Sequence, residues 1–402
     1  MPNRRSVLQG AVSGLLLTGT GLGAARARAD LPQGTLDSEV LEALPGKRPL
    51  LKRSYRPPNY ETPLAGFASP ITPNDQFFVR WHLSNIPQID ADAWALNVGG
   101  ESAEHALTLK LEQLKQEFEA VEIVAVCQCA GNRRGYSDPH VPGVQWGSGA
   151  IGNARWKGVR LRDILARAGI RSDTVEVAFH GDDRAALDAT PPFVKSLPSW
   201  KALEDTTLVA YEMNGAPLPH WNGFPARIVV PGWVATYWMK QVNSIEALGS
   251  PLKSFWMNTA YRIPKGKFPV NDWFPSQAND TTTPITEMLV NSMITSHAQS
   301  QRVKAAVPVH LRGVAWDGGH GIRRLDISLD AGQTWSSATL GDDFGRFAFR
   351  PWEFRFVPLK KGAVPVMARA TNAQGATQAE SLVFNAAGYH NNVIQKIELM
   401  VA

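Results

Sequence analysis

From about residue 285 to the end of the chain the apolar residues change their period. V-P-V-H-L-R-G-V-A-W, R-R-L-D-I-S-L-D-A-G-Q-T-W, W-E-F-R-F-V-P-L and P-V-M-A-R-A-T-N are short alternating runs, parted by Gly and Asp turns. A period of two suits a strand buried on one face, and a series of such runs predicts a β-sandwich. Gly332 in D-A-G-Q can take the positive φ that a hairpin turn demands. Upstream the pattern is mixed. F-F-V-R-W-H-L and V-E-V-A-F-H-G read as strands, and V-E-I-V-A-V-C-Q-C is a β-rich run ending at the cysteines. W-A-L-N-V-G-G followed by L-T-L-K-L-E-Q-L-K reads as strand, turn and helix, and V-R-L-R-D-I-L-A-R-A-G-I as an amphipathic helix closing near Gly169. Short helices alternating with strands to about residue 250 predict a mixed α/β domain.

The expected fold class is therefore α+β, a mixed α/β domain followed by an immunoglobulin-like β-sandwich. The expected divisions are a leader at 1–29, a proline-rich, irregular arm at 30–75, the mixed domain with its connecting segment at 76–284, and the sandwich at 285–402. The leader has a basic start, an apolar stretch and Ala27-Arg28-Ala29, the three regions of an export signal. Arg4-Arg5 points to the twin-arginine route, hence to the periplasm. Its apolar stretch falls short of the ~18 residues of a membrane anchor. The whole chain has 41 Lys and Arg against 36 Asp and Glu. Four of the arginines lie before residue 30, so the remainder is nearly neutral. That argues against nucleic acid, which demands a concentrated basic face.

The chain has two cysteines, Cys127 and Cys129. Residues i and i+2 on a strand sit ~6.5 Å apart, a poor geometry for a disulfide between them. No C-x-x-C-H occurs, which excludes covalently attached c-type haem. Cys129 stands where the strand gives way to A-G-N, so its thiol can be presented rigidly, with Gly131 leaving space beside it. A thiolate favours a soft or redox-active metal, and Arg133 and Arg134 would favour the thiolate and attract an anion. The alternative is a small buried hydrophobe, which suits Cys127 better. Arg80 and His82 fall on one face of a strand by the two-residue period, as an anion pocket or as a charged rim. G-A-P-L-P-H-W-N-G-F-P-A-R-I-V-V-P-G-W is a tightly specified loop ending in Arg227. Lys240, Tyr261 and Arg262 complete the candidates; Tyr can hydrogen-bond while neutral. No G-x-S-x-G, H-E-x-x-H, P-loop or G-x-G-x-x-G is present.

Five segments taken together resemble the sulfite oxidase family of molybdenum enzymes, in particular periplasmic sulfite dehydrogenases that use cytochrome c. They are F-F-V-R-W-H, C-A-G-N-R-R, G-A-I-G-N-A-R-W-K-G-V-R-L, G-F-P-A-R-I-V-V-P-G and S-L-D-A-G-Q-T-W, in the family's order from about residue 60 onward. The resemblance implies a molybdenum pyranopterin (molybdopterin) cofactor with Cys129 as the protein thiolate on the metal and Cys127 merely structural. It implies Arg80, Arg134, Tyr261 and Trp146 in the substrate pocket, and His82, Asn222, Arg227 and Lys240 about the pterin or its phosphate. Asn222 stands where family members often carry histidine. A last pocket residue would come from the sandwich, with His320, Arg323 or Arg324 in view.

The implied reaction is oxidation of sulfite to sulfate, with electrons leaving singly for a separate cytochrome c and no haem on this chain. The alternative on the same scaffold is a sulfane-sulfur dehydrogenase acting on a carrier protein, or a sulfoxide reductase. The implied sandwich serves dimerisation, as a homodimer or heterodimer.

Overall fold

The computed structural model describes residues 40–402; the expected leader and the first part of the arm lie outside the described residues. Three sheets of four or five strands, with the two-stranded pair Arg262–Pro264 and Thr282–Pro284, build the first body. Leu41–Glu42, Leu50–Ser54, Asn59–Glu61 and Val79–Arg80 form an antiparallel meander. The arm, expected to be irregular, thus contributes three short strands. Leu44, Leu50, Tyr60, Val79 and Trp81 bury one another, and enough apolar side chains alternate around its prolines to make a small core. A second sheet runs in the order Val194–Pro198, Glu176–Gly181, Val242–Leu248, Ala95–Gly99, Leu107–Lys110. Only the pairing of Val242–Leu248 with Ala95–Gly99 is parallel there.

The third sheet carries the cysteines. Ala120–Gln128 pairs along its length with Ile151–Arg160, placing Cys127 opposite Gly152. A Cβ on Gly152 would meet the Phe77 ring at 2.4 Å, so only glycine lets that ring lie flat on the sheet. Leu208–Met213 pairs with the other edge of Ile151–Arg160 and with Arg227–Val229. Val159 and Arg160, expected in the helix, extend this strand instead. The helix is Leu161–Arg167, with Leu161, Ile164 and Leu165 on its buried face and Gly169 at φ +64° just beyond it. Leu107–Lys110, expected to open the helix, is a strand, and the helix is Leu111–Glu117.

The second body is a sandwich. One sheet runs Asn291–Ile294, Val309–Trp316, Arg350–Phe356, Thr339–Leu340; the other runs Arg302–Val303, Gln395–Val401, Gly362–Asn372, Ile322–Ser328, Ser336–Ser337. Leu311, Leu325, Ile327, Trp352, Val366 and Leu399 fill the space between them. The expected hairpin turn holds Gly332 at φ +92°.

The two bodies share a core. Trp316, Phe347, Phe349 and Tyr389 of the second join Phe77, Trp156 and Trp238 of the first. Trp316 Nε1 donates to Gln128 Oε1 at 2.6 Å, and Val126 N to the Phe347 carbonyl at 2.9 Å. The sandwich therefore braces the cysteine strand one residue from each thiol. Among the described residues, no helix is long and apolar enough to cross a membrane.

Candidate cofactor and substrate site

Arg80, His82, Cys127, Cys129, Asn222, Arg227, Lys240 and Tyr261 come together around one cleft. They arrive from four separate parts of the chain, and local structure explains each. The strand Ala120–Gln128 ends just before Cys129, whose main-chain N–H donates to the Ala150 carbonyl at 2.9 Å. The ladder thus fixes the thiol although the strand has ended, and both cysteines are free. Val79–Arg80 is a shorter strand than expected. Trp81 N–H turns to the Pro58 carbonyl, which releases His82 toward the cleft. Tyr261 sits at φ +58°, immediately before the strand Arg262–Pro264.

One end of the cleft is a hydrogen-bonded knot. Arg80 donates from Nη1 to Asn59 Oδ1 at 3.2 Å and to the Trp81 carbonyl, and from Nη2 to Tyr261 Oη at 3.4 Å. The Tyr261 phenol also bonds His82 Nε2. Assigning the phenol proton to Nε2 as acceptor puts the imidazole hydrogen on Nδ1. Nδ1 is buried without an acceptor among the described residues. Burial holds this imidazole well below its usual range, reinforced by Arg80, Lys240 and Lys195. Phe193 stacks on the ring at 3.7 Å, and Trp256 packs edge-on at 5.1 Å. Burial raises the Tyr261 phenol above its ordinary range, against the pull of Arg80.

The other end is cationic. Arg227 donates to the carbonyls of Asn222 at 2.9 Å and Trp238 at 3.1 Å, and lies 4.0 Å from Cys127 Sγ, while its Nε has no partner. The Lys240 ammonium rests 4.5 Å from the Trp81 ring centroid. Burial lowers it to about 7; Arg227 pushes the same way and Asp183 opposes. Burial likewise takes the Cys127 thiol up to about 11, against Arg227 and Lys240. Among the described residues, none of Arg80, Arg227 and Lys240 has a carboxylate within ion-pair distance. Buried charges are ordinarily paired. Three unpaired cations, two orphaned donors and a soft thiol fit an anionic group bearing a thiolate-bound metal.

Two expected residues sit elsewhere. Arg134 donates from Nε to the Ala387 carbonyl at 2.8 Å and from Nη1 to the Val144 carbonyl at 3.1 Å. Its guanidinium lies behind Tyr389, 5.3 Å from that ring, and Tyr389 stacks on Tyr261 at 5.6 Å. The space expected beside Gly131 is taken by Arg134 itself: a Cβ there would meet the guanidinium at 2.6 Å. Trp146 is fully buried in the core and does not line the cleft.

From the sandwich, Arg324 pairs with Asp326 at 2.9 Å, His320 with Glu287 at 3.6 Å, and Arg323 is exposed. The segment that reaches the site is instead 387–389. Sequence reading also missed Phe193, Trp256 and Lys47. The first two look like ordinary core aromatics, and Lys47 like an arm surface residue.

Residues 82–256 match the oxidoreductase molybdopterin binding domain, and residues 282–402 the Mo-co oxidoreductase dimerisation domain. Human mitochondrial sulfite oxidase is 35% identical over 377 residues, covering 89% of this chain and 67% of that protein. The chain belongs to the sulfite oxidase family. Sulfite oxidase of Arabidopsis thaliana is 32% identical over 317 residues, covering 75% of this chain and 79% of that one. The crystal structure of the sulfane dehydrogenase SoxCD from Paracoccus pantotrophus superposes with a TM-score of 0.73 at 25% identity, covering 94% of this chain and 92% of that one. As a family member the chain is a molybdenum-dependent oxidoreductase with a molybdopterin-binding fold, and it passes electrons to an external acceptor.

Proposed function

We propose that this enzyme oxidises sulfane sulfur displayed by a carrier protein, drawing oxygen from water and passing electrons singly to a separate cytochrome c. The observation that carries this reading is the charge at the substrate end of the cleft. Arg134 is spent on two carbonyls behind Tyr389, which leaves Arg80 beside neutral His82 and Tyr261, with Phe193 and Trp256 packed on the His82 ring. A free dianion in a dry pocket asks for more positive charge than one guanidinium already bonded to protein. A persulfide terminus carries a single charge, and its carrier supplies binding energy outside the pocket. The extended likeness to SoxCD supports the same choice.

In this reading Cys129 holds the metal, and His82, Asn222, Arg227 and Lys240 hold the pterin. The bound molybdenum pyranopterin would supply oxygen-atom transfer coupled to stepwise electron release. Arg80 would bind the sulfur anion, and Tyr261, whose oxygen accepts from Arg80 and whose proton is held by His82, would fix the guanidinium beside it. His82 Nε2 holds the phenol proton in that arrangement, while Phe193 and Trp256 exclude water. Trp146 and Arg134 would shape the wall from behind. We also propose that the protein is exported folded to the periplasm by its twin-arginine leader, and that the expected residue divisions hold. Residues 285–402 would serve pairing, as a homodimer or with a cytochrome-bearing subunit.

Sulfite is the second reading, favoured by the 35% identity to human sulfite oxidase. One experiment separates them. The purified, molybdenum-loaded enzyme is given cytochrome c with either sulfite or a peptide carrying a cysteine persulfide. Complete oxidation of the persulfide to an S-sulfonate, R–S–SO3⁻, takes three waters and releases six electrons and six protons; sulfite to sulfate takes one water and releases two of each. Near six cytochromes reduced per persulfide, with slow turnover of sulfite, is the expected result. Rapid sulfite turnover and an inert persulfide would reverse the order of the two readings.

A further inference from the structure

Lys47 lies in the arm, follows the turn closed by its N–H on the Leu44 carbonyl, and is only 7% exposed. Its ammonium spends all three donors inside the protein: on the Asn74 carbonyl at 2.6 Å, the Phe77 carbonyl at 3.1 Å and Asn222 Oδ1 at 2.5 Å. No carboxylate lies within ion-pair distance of it among the described residues, and neighbouring Asp75 pairs with Arg48 at 2.8 Å. Burial lowers this ammonium to about 7, with Asp75 opposing. Neutral acceptors return only part of the cost of desolvating an ammonium, so its placement is explained by what stands beyond Asn222.

Asn222 lines the cleft. Because an ammonium can face only its oxygen, the amide cannot flip, and Nδ2 is held toward the Phe78 carbonyl at 3.1 Å and the cleft. The main-chain oxygen of Asn222 accepts from Arg227 at 2.9 Å. Lys47, Asn222 and Arg227 therefore form one hydrogen-bonded row at the cationic end, with Lys240 on the Trp81 ring beside it. The arm brings Lys47 there through its own core, since Leu44, Leu50 and Tyr60 pack with Trp81, and Trp221 packs against that cluster.

We propose that Lys47 is a positioning residue of the cofactor site, fixing the Asn222 amide and supplying at the pterin end the positive charge that asparagine cannot carry. This rests on the assignment of Asn222, Arg227 and Lys240 to the cofactor, and not on which sulfur compound is oxidised.

The test follows retention of the cofactor in the loaded enzyme, read as molybdenum and pterin per chain during dialysis against phosphate buffer. The variants are Lys47→Met, Lys47→Arg, Asn222→His and the double variant Lys47→Met/Asn222→His. Lys47→Met should release cofactor about tenfold faster, the scale of one charge-assisted hydrogen bond. Lys47→Arg should stay near the parent. Asn222→His should slow release in the Lys47→Met background, where it restores a chargeable group, and speed it in the parent, where imidazolium meets ammonium. Such a change of sign is a coupling that a merely structural lysine would not produce. Unchanged retention in Lys47→Met, or equal losses in the Met and Arg variants without compensation by histidine, would overturn the proposal.

Should Lys47→Met fail to fold, Asn222→His alone still decides: faster release at pH 6 than at pH 8 supports the proposal, and no pH effect sinks it. Failure of the substrate reading would show in the cytochrome assay with cofactor retention intact, so the two are separable.

Discussion

Lys240 makes a prediction whose sign depends on whether the cleft is filled. Its ammonium has the Trp81 ring at 4.5 Å and neither an acceptor nor a carboxylate in bonding range among the described residues. Burial first, and Arg227 second, take it from the ordinary 10.5 to about 7. A shift of that size corresponds to about 5 kcal/mol as an upper figure, at about 1.4 kcal/mol for each pKa unit. The side chain keeps some solvent contact, and the Trp81 face returns up to about 2 kcal/mol. Lys240→Met should therefore stabilise cofactor-free protein at pH 7 by roughly 2 kcal/mol, since methionine fills the space without the charge. In loaded enzyme the same change removes a charge facing an anion and should destabilise by about 2 kcal/mol.

The pH dependence follows from the same shift. A base with a depressed folded pKa binds fewer protons folded than unfolded between about 7 and 10.5. Stability of the cofactor-free protein should then rise with pH across that interval and stay flat below it. Lys240→Met should remove its share of the rise, leaving that of Lys47. Urea denaturation at pH 7 and pH 9, with and without cofactor, reads all four quantities. A stability change of the same sign in both forms would refute the claim that this cation waits for an anion.

Further outcomes follow from the same geometry. Cys129→Ser should yield protein with little retained molybdenum, whereas Cys127→Ser should keep its metal and lose only the contact with Arg227; metal analysis of both checks this. Arg134→Met strands the carbonyls of Ala387 and Val144 and should cost about 2 kcal/mol in urea denaturation. Its effect on KM should be smaller than that of Arg80→Met, in steady-state assays with the same substrate. Glu61 is buried, pairs with Arg53 at 2.6 Å and accepts the Gly147 and Gly149 N–H groups. Glu61→Ala should cost about 3–5 kcal/mol, the price of a broken buried pair, and calorimetric melting with and without cofactor would reveal it.

The sandwich was legible because alternation with a period of two survives whatever the strands pack against. Cys129 was legible because a β-rich run ends at the cysteines; the strand in fact stops at Gln128, one residue earlier. What escaped depends on distance along the chain. Arg134 was read into the pocket from its neighbours in sequence, but Gly131, Gly143 and Gly388 leave a slot that its guanidinium fills, and Gly388 comes from the far end of the sandwich. Lys47 escaped for the converse reason, being an isolated lysine in a proline-rich stretch whose oxygen partner lies 175 residues on. Local pattern announces where the chain must be strand and which atoms stand at its ends. Which cations then face the cleft is decided by where three long-range contacts, Lys47 with Asn222, Arg80 with Tyr261 and Arg134 with Ala387, close the molecule on itself. The chemistry of this site is accordingly a property of its closure, and substitutions in the arm or in segment 387–389 should alter it as surely as those beside Cys129.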